Sequence, residues 1–373
     1  MTGYHRIVIK IGTSTLTNGS AKLNLPRVAS LVQQISVLMD QGRQVALVSS
    51  GAIAVGRERL DFPDLPKTIP AKQMLAAVGQ PRLMAVYEQL FAIYGRGVAQ
   101  ILLTREDISD RRRYLNARGT LEALLDQGVV PIINENDSVA TDEIRIGDND
   151  NLSALVANLI EADMLILLTD QAGLFSADPS KSQAAKIIEC IDSPEIPESI
   201  WKAAGGSRNK LGTGGMHTKL EAAETARRSG TLVTIAKGDL PYVLLLLAAG
   251  EHIGTRILPV VDKMESRKRF MLAGARQRAS IRVDEGAVKA LLAGGSLLPV
   301  GVTGAQGLFE RGDIVKVKDA EGKDIAIGLM NYAAADIQKI KGRRSKEIEA
   351  LLGYAYGDEV IHHNNMAVLA GKK

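Results

Sequence analysis

Cysteine is almost absent from this chain. The single one, Cys190, leaves no partner for an intrachain disulfide and no cysteine cluster for zinc. Aromatic residues make up only 4%, so a core has to be built from aliphatic side chains. No apolar run approaches the roughly 20 residues that a bilayer-spanning helix takes. The longest is Tyr242–Ala249. The first residues, Met1-Thr2-Gly3-Tyr4-His5-Arg6, lead straight into a short strand and lack the apolar stretch of a secretory signal. A cytoplasmic protein without a membrane partner is the expectation. His5, His217, His252, His362 and His363 have no metal-like spacing with cysteine or glutamate, so no resident metal site is expected. Neither GxxxxGK[ST] nor GxGxxG occurs. Ser50 has no His/Asp pattern nearby, which argues against a nucleophilic triad.

What is present is an ordinary globular composition, with 46% hydrophobic and 24% charged residues. A length of 373 residues exceeds what one core usually serves, so two domains are expected. The net charge of +4 and a pI near 9.0 suit an anionic substrate about as well as nucleic acid. The 36 glycines direct attention to glycine-rich ligand loops.

Up to about Pro259 short β-rich runs alternate with helical ones. The strand candidates are Ile7–Ile9, Val45–Val48, Ala99–Leu103, Val129–Ile133, Met164–Leu168 and Leu232–Ala236. They are apolar throughout, as strands buried on both faces of a parallel sheet are. A helix is expected over Pro26–Asp40, with Pro26 in its first turn. This rhythm predicts an α/β sandwich. From about Arg276 the pattern becomes short strands with glycine turns, Ala279–Val283, Leu297–Val302, Asp313–Val317 and Ile325–Leu329, around a short helix Ala287–Leu292. That predicts a small β-barrel. The expected organisation is a catalytic domain over 1–260, a linker over 261–275 and a barrel over 276–360.

Three glycine loops fall at strand ends, where open α/β sheets bind ligands. They are Lys10-Ile11-Gly12-Thr13-Ser14, Ser49-Ser50-Gly51-Ala52, and Gly212-Thr213-Gly214-Gly215-Met216-His217-Thr218-Lys219. The last precedes a helical run, so its N–H groups and the helix dipole favour phosphate, with Lys219 about one turn inside. A plain glycine turn and a solvent lysine at Lys10 are the alternatives. The densest polar cluster follows Val129–Ile133: Asn134-Glu135-Asn136-Asp137-Ser138, then Gly147-Asp148-Asn149-Asp150-Asn151. It suits a zwitterion, with carboxylates for an ammonium and amides for a carboxylate. The alternative is a solvated loop with an N-cap at Asp150 or Asn151. Thr169-Asp170 adds one more strand-end carboxylate.

Taken jointly, these segments, with Leu75–Gln80 and Leu115–Arg118, resemble the amino acid kinase family over essentially the whole chain. They are most similar to its branch that phosphorylates the side-chain carboxylate of glutamate. The resemblance implies a three-layer sandwich with a mainly parallel sheet. Val283–Ala287, Gly295–Pro299 and Leu351–Tyr354 resemble the PUA domain that many members carry. By the same resemblance, Lys10 and Lys219 contact the transferring phosphoryl group and Asp150 holds both lysines. Ser50, Asn134, Asp137, Asp148 and Asn149 bind L-glutamate. Lys10, Gly12, Thr169, Asp170, Thr213, Gly214, Gly215, Met216, His217, Thr218 and Lys219 bind ATP. His217 is a departure, since a small residue such as serine is expected there. Further implications are Mg²⁺ entering with ATP, proline as a competing feedback inhibitor, and a homo-oligomer, dimer or tetramer. A glutamyl phosphate reductase partner is also implied.

The chemistry agrees with these residue types. A carboxylate of pKa about 4.3 is ionised at pH 7, so no general base is needed. The task is to bring two anions together, which calls for lysines and N–H dipoles. Kinases of the same fold acting on acetylglutamate or aspartate are the near alternatives, and Asp137 and Asp148 favour a free ammonium. A distant alternative is RNA binding by the barrel, for which Lys263–Arg278 and Lys341-Gly342-Arg343-Arg344 supply basic residues. Those stretches also read as a linker and a solvated face.

Overall fold

The structure is a computed structural model that describes residues 3–139, 149–177, 179, 182, 184–205, 215–261 and 275–369. The backbone falls into two compact units, Met1–Ser109 with Ala117–Val261, and Asp110–Asn116 with Asp262–Lys373.

The first unit carries β1 (Arg6–Ile11), α1 (Thr13–Thr17), α2 (Leu25–Asp40), β2 (Gln44–Ser49), α3 (Ala52–Arg59), α4 (Ile69–Ala92) and β3 (Val98–Leu103). The chain continues through α5 (Arg105–Ser109), α6 (Arg111–Asp126, in this unit from Ala117 on), β4 (Val130–Glu135), α7 (Asn149–Leu159) and β5 (Met164–Thr169). It closes with β6 (Cys190–Ile191), α8 (Glu198–Ala203), α9 (Met216–Arg227), β7 (Leu232–Lys237), α10 (Val243–Ala249) and β8 (Thr255–Ile257). Eight strands form one sheet in the order β3-β4-β2-β1-β5-β7-β8-β6. All pairings are parallel except β7 with β8. The expected α/β sandwich with a mainly parallel sheet is what forms.

The continuous apolar strands are explained by burial on both faces. Ile7, Ile9 and Ile11 of β1 join a core with Val28, Leu31 and Ile35 of α2, Leu83 and Tyr87 of α4, and Val243, Leu244 and Leu247 of α10. Side chains alternate along a strand, so Val8 and Lys10 point to the other face. There α7 packs across β1, β2, β4 and β5, and α9 packs on α7 and β7. Lys10 is therefore aimed at α7 rather than at solvent. The chain turns from β4 to β5 across β1, and α7 makes that crossing. This is the switch point at which open α/β sheets bind ligands.

Local signals set the element ends. Asn24 caps α2 by accepting from the Arg27 N–H at 3.0 Å, and Pro26 sits in the first turn. Gly51, at φ 108, opens α3 in a backbone conformation that disfavours a side chain. Helices α3 and α4 touch backbone to backbone. A Cβ on Gly79 would lie 1.8 Å from the Ala52 carbonyl oxygen, and one on Gly56 1.9 Å from that of Leu75. Gly79→Ala is accordingly expected to destabilise the fold by at least about 1–3 kcal/mol, the usual penalty for overpacking. A thermal melt checks this, and an unchanged midpoint would contradict the close approach.

The second unit holds a five-stranded sheet, β10-β9-β11-β12-β13. Its strands are β9 (Ala275–Val283), β10 (Val302–Gln306), β11 (Ile314–Lys318), β12 (Asp324–Leu329) and β13 (Met366–Val368). Ile281, Val283, Leu291, Leu297, Val315, Val317, Tyr332 and Ile361 fill its core. The helix Glu285–Leu292 starts at Asp284, whose side chain accepts from the Ala287 N–H at 2.7 Å. One expectation fails. Leu297–Val302 is not a strand: Leu297 makes a single bridge to Ile361, and Pro299–Gly301 is a 3₁₀ turn. Pro299 has no N–H to give a ladder, so the strand begins only at Val302. Residues 262–274, most of the basic stretch noted in the sequence, lie outside the described residues.

Candidate active site

The site grows from the carboxyl ends of β1, β2, β4 and β5 and the first turns of α7 and α9. Helix α7 begins at Asn149, so Asp150 stands within its first turn and is not an N-cap. Its carboxylate is buried and points at two lysines. Lys10 Nζ lies 2.5 Å from Oδ1, and Lys219 Nζ lies 3.2 Å from Oδ2. The Thr218 hydroxyl donates to Oδ2 at 2.7 Å. Burial pushes the Asp150 carboxyl up, but the attraction of Lys10 and Lys219, helped by hydrogen bonding, outweighs it and holds the pKa at about 2. Asp150 is thus ionised at any working pH. It also separates two ammonium groups that would otherwise repel across a dry site.

Lys219 comes from the fourth residue of α9, one turn inside as the sequence suggests. Gly215, at φ 90, turns the chain into this helix, and its carbonyl accepts from Lys219 Nζ at 3.4 Å. Gly12 precedes α1, where a Cβ would stand 3.6 Å from Lys10 Nζ. Its absence leaves room beside the ammonium. Thr169 ends β5 and donates its hydroxyl to Asp170 at 3.0 Å.

A second group of side chains adjoins Asp150. Asn149 Nδ2 donates to Ser50 Oγ at 3.0 Å and to Asn134 Oδ1 at 2.8 Å. The Glu135 N–H donates to Asn134 Oδ1 at 2.9 Å, and Asn134 Nδ2 donates to Gln80 Oε1 at 2.9 Å. Four segments, α4, the β2 end, the β4 end and α7, meet in this amide network. Asp137 follows β4. Its Oδ1 is buried with no partner among the described residues, and desolvation raises its pKa above the ordinary aspartate value. An unpaired, partly desolvated carboxylate is what an incoming ammonium would complete.

The structure therefore brings Lys10, Asp150, Thr218 and Lys219 into one cluster and Ser50, Asn134 and Asn149 into an adjoining one. Asp148, Thr213 and Gly214 lie outside the described residues. The His217 side chain is turned inward, its ring 5.3 Å from that of Trp201 and its Nδ1 3.6 Å from Glu221 Oε1. Sequence reasoning missed a cleft of about 270 Å³ beside Gly215 and Met216, whose walls include Leu174, Phe175, Ile200 and Ala203. These residues come from irregular chain and a short helix, without a motif to mark them. It also missed Gln80, although Leu75–Gln80 was among the segments that carried the resemblance.

The arrangement can neutralise an oligophosphate with paired ammonium groups and N–H dipoles, beside a pocket of amides and a hydroxyl suited to a carboxylate. Residues 5–237 match the model of the amino acid kinase family, and residues 279–352 that of the PUA domain. A glutamate 5-kinase of Shewanella amazonensis is 52% identical over 368 residues, covering 98% of this chain and 97% of that protein. Glutamate 5-kinases of Herpetosiphon aurantiacus and Dehalococcoides mccartyi are each 52% identical, covering 97% and 98% of this chain and 97% and 99% of theirs. On the family match over residues 5–237 and these relatives, this chain belongs to the amino acid kinase family.

Proposed function

We propose that the protein transfers the γ-phosphoryl of ATP to the side-chain carboxylate of L-glutamate, giving L-glutamyl 5-phosphate, the first step of proline biosynthesis. The observation that carries this reading is the adjacency of Asn149 and Asp150. One belongs to the amide network, the other to the lysine cluster, so an acceptor held by the first faces the phosphate held by the second. The relatives named glutamate 5-kinase support glutamate as the acceptor.

In this reading a carboxylate oxygen attacks the γ-phosphorus while the bond to the bridging β–γ oxygen breaks and ADP leaves. No proton moves, and no general base is required. Lys10 and Lys219 neutralise charge on the transferring group, and Asp150 fixes their spacing. Ser50, Asn134 and Asn149 orient the acceptor carboxylate, and Asp137 takes the α-ammonium. Gly12, Thr169, Asp170 and the Gly215–Lys219 turn hold the nucleotide, with its base in the cleft beside Phe175 and Ile200. Asp150 has both oxygens facing lysines, so Mg²⁺ fits as an ion carried on the triphosphate oxygens, where it supplies further charge neutralisation. Proline, a smaller amino acid that also carries a cationic α-nitrogen, a secondary ammonium in its ring, and an α-carboxylate, is the expected competitor at the acceptor pocket.

The test is substrate preference, measured as ADP release with L-glutamate, N-acetylglutamate and aspartate in parallel. Turnover with glutamate alone supports the proposal; turnover with acetylglutamate in preference would contradict an ammonium at Asp137. A pH profile refines it. Because the Asp137 pKa is raised, the glutamate KM is expected to climb as pH falls through a value above the ordinary aspartate figure of about 3.9. Asp137→Asn should raise the KM at neutral pH and flatten that dependence. An Asp137→Asn profile superimposable on the wild type would remove Asp137 from the pocket.

A further inference from the structure

Helix α4 carries no residue assigned to either substrate, yet one of its faces touches Asn134 of the acceptor pocket and Ser49 and Ala52 on either side of Ser50. Gln80 is buried and accepts from Asn134 Nδ2 at 2.9 Å. Two turns on, the Tyr87 hydroxyl is 2.8 Å from Ser49 Oγ. Ser49 gives its own hydrogen to the Ser50 carbonyl at 3.0 Å, so Tyr87 is left as the donor in that pair. Gly79 lies against the Ala52 backbone, in the first turn of α3. Positions 79, 80, 83 and 87 share a helix face, and Leu83 and Tyr87 are locked into the apolar core.

From this we infer that Gln80 is a positioning residue for the acceptor: its side-chain carbonyl fixes the amide of Asn134, and through it Asn149 and Ser50. The inference rests on the proposed reading of those three residues as the glutamate pocket. An asparagine amide is pseudo-symmetric, and its partners decide which way it faces. With Gln80 accepting, Asn134 turns its NH₂ to α4 and its oxygen to Asn149 and the Glu135 N–H. Asn149 is then committed to donate, and it gives to both Asn134 and Ser50. The Ser50 oxygen is occupied as an acceptor, so its own hydrogen is available for a carboxylate oxygen. Without the Gln80 carbonyl, a buried NH₂ has no acceptor, and Asn134 relieves that cost only by leaving this pose. Gln80 thus works at a distance, ordering donors that meet the substrate.

The experiment compares Gln80→Met, Asn134→Ala, Ser50→Ala and the double variant Gln80→Met/Asn134→Ala in the full chain. Glutamate KM, ATP KM, kcat and the thermal midpoint are recorded for each. Gln80→Leu is run alongside as a second variant in case methionine impairs folding. Gln80→Met is expected to raise the glutamate KM at least about tenfold, the effect of one unsatisfied buried amide. The ATP KM should stay within about twofold, a split that general loosening of the fold does not produce. The double variant should be no worse than Asn134→Ala alone, because the two residues act in series. The inference is overturned if Asn134→Ala raises the glutamate KM and the Gln80 variants do not, or if the two effects multiply. Should Asn134→Ala and Ser50→Ala both leave the glutamate KM unchanged, the reading of the pocket itself has failed, and this inference falls with it.

Discussion

Replacing either Lys10 or Lys219 with alanine is expected to lower kcat by at least about a hundredfold, the scale of one lost electrostatic stabiliser in a dry site. Lys10, near the end of β1, and Lys219, in the first turn of α9, reach Asp150 at 2.5 and 3.2 Å. The lysines stabilise the charge redistributed over the phosphoryl oxygens in the transition state, so the loss should appear in kcat more than in the glutamate KM. Lys10→Arg is not a conservative control, because a planar guanidinium does not reproduce a point charge. Steady-state rates at saturating ATP decide the matter. A fall in kcat below about threefold for both variants would remove the lysines from the phosphoryl site.

Asp150→Asn should show the second large effect, and first in stability. A carboxyl held at about 2 in the fold, against about 3.9 when unfolded, stabilises the protein by about 2–3 kcal/mol. The sign follows from the depressed pKa. The contribution is complete above the unfolded value and is lost as pH falls through the folded one. The amide cannot supply that charge, and it leaves two buried ammonium groups facing each other. Breaking a buried ion pair from one side typically costs about 3–5 kcal/mol. The ligand-free variant should therefore melt at least about 5 °C below the wild type. Magnesium-ATP brings negative charge to the same lysines, so it should raise the midpoint of Asp150→Asn by more than that of the wild type. Equal midpoints without nucleotide would mean that Asp150 does not hold the lysines apart.

Much of the architecture was legible because one physical rule governs it. Strands covered on both faces have no polar side, so Ile7–Ile9, Val45–Val48 and Met164–Leu168 stand out as apolar runs. The glycine loops after β1 and β2 were legible for a similar reason, since each turns the chain from a strand into a helix, whereas among the described residues the loop before α9 follows α8 and not a strand as expected. The pairing of Lys10 with Asp150 was not a pattern in the sequence. The two are 140 positions apart, and only the crossing of α7 over β1 joins them. Residue types alone left Asp150 as a possible helix cap, and it took the start of α7 at Asn149 to move it inside the turn. Gln80 stayed hidden because a polar residue in a 24-residue helix reads as solvent-facing until its neighbours are known. Pro299 broke an apolar run that pattern alone extends through it. Asp110–Asn116 belongs with the second unit, an assignment that no boundary drawn along the chain produces.

Whether phosphate is placed on the side-chain carboxylate of glutamate is read by trapping the product. Protein, Mg²⁺-ATP and L-glutamate are incubated with hydroxylamine, and the hydroxamate is compared chromatographically with authentic γ- and α-hydroxamates of glutamate. ATP-dependent γ-hydroxamate is expected, diminished by proline and absent with Lys219→Ala. The α-hydroxamate, or no hydroxamate from folded protein while ATP is still bound, would contradict it.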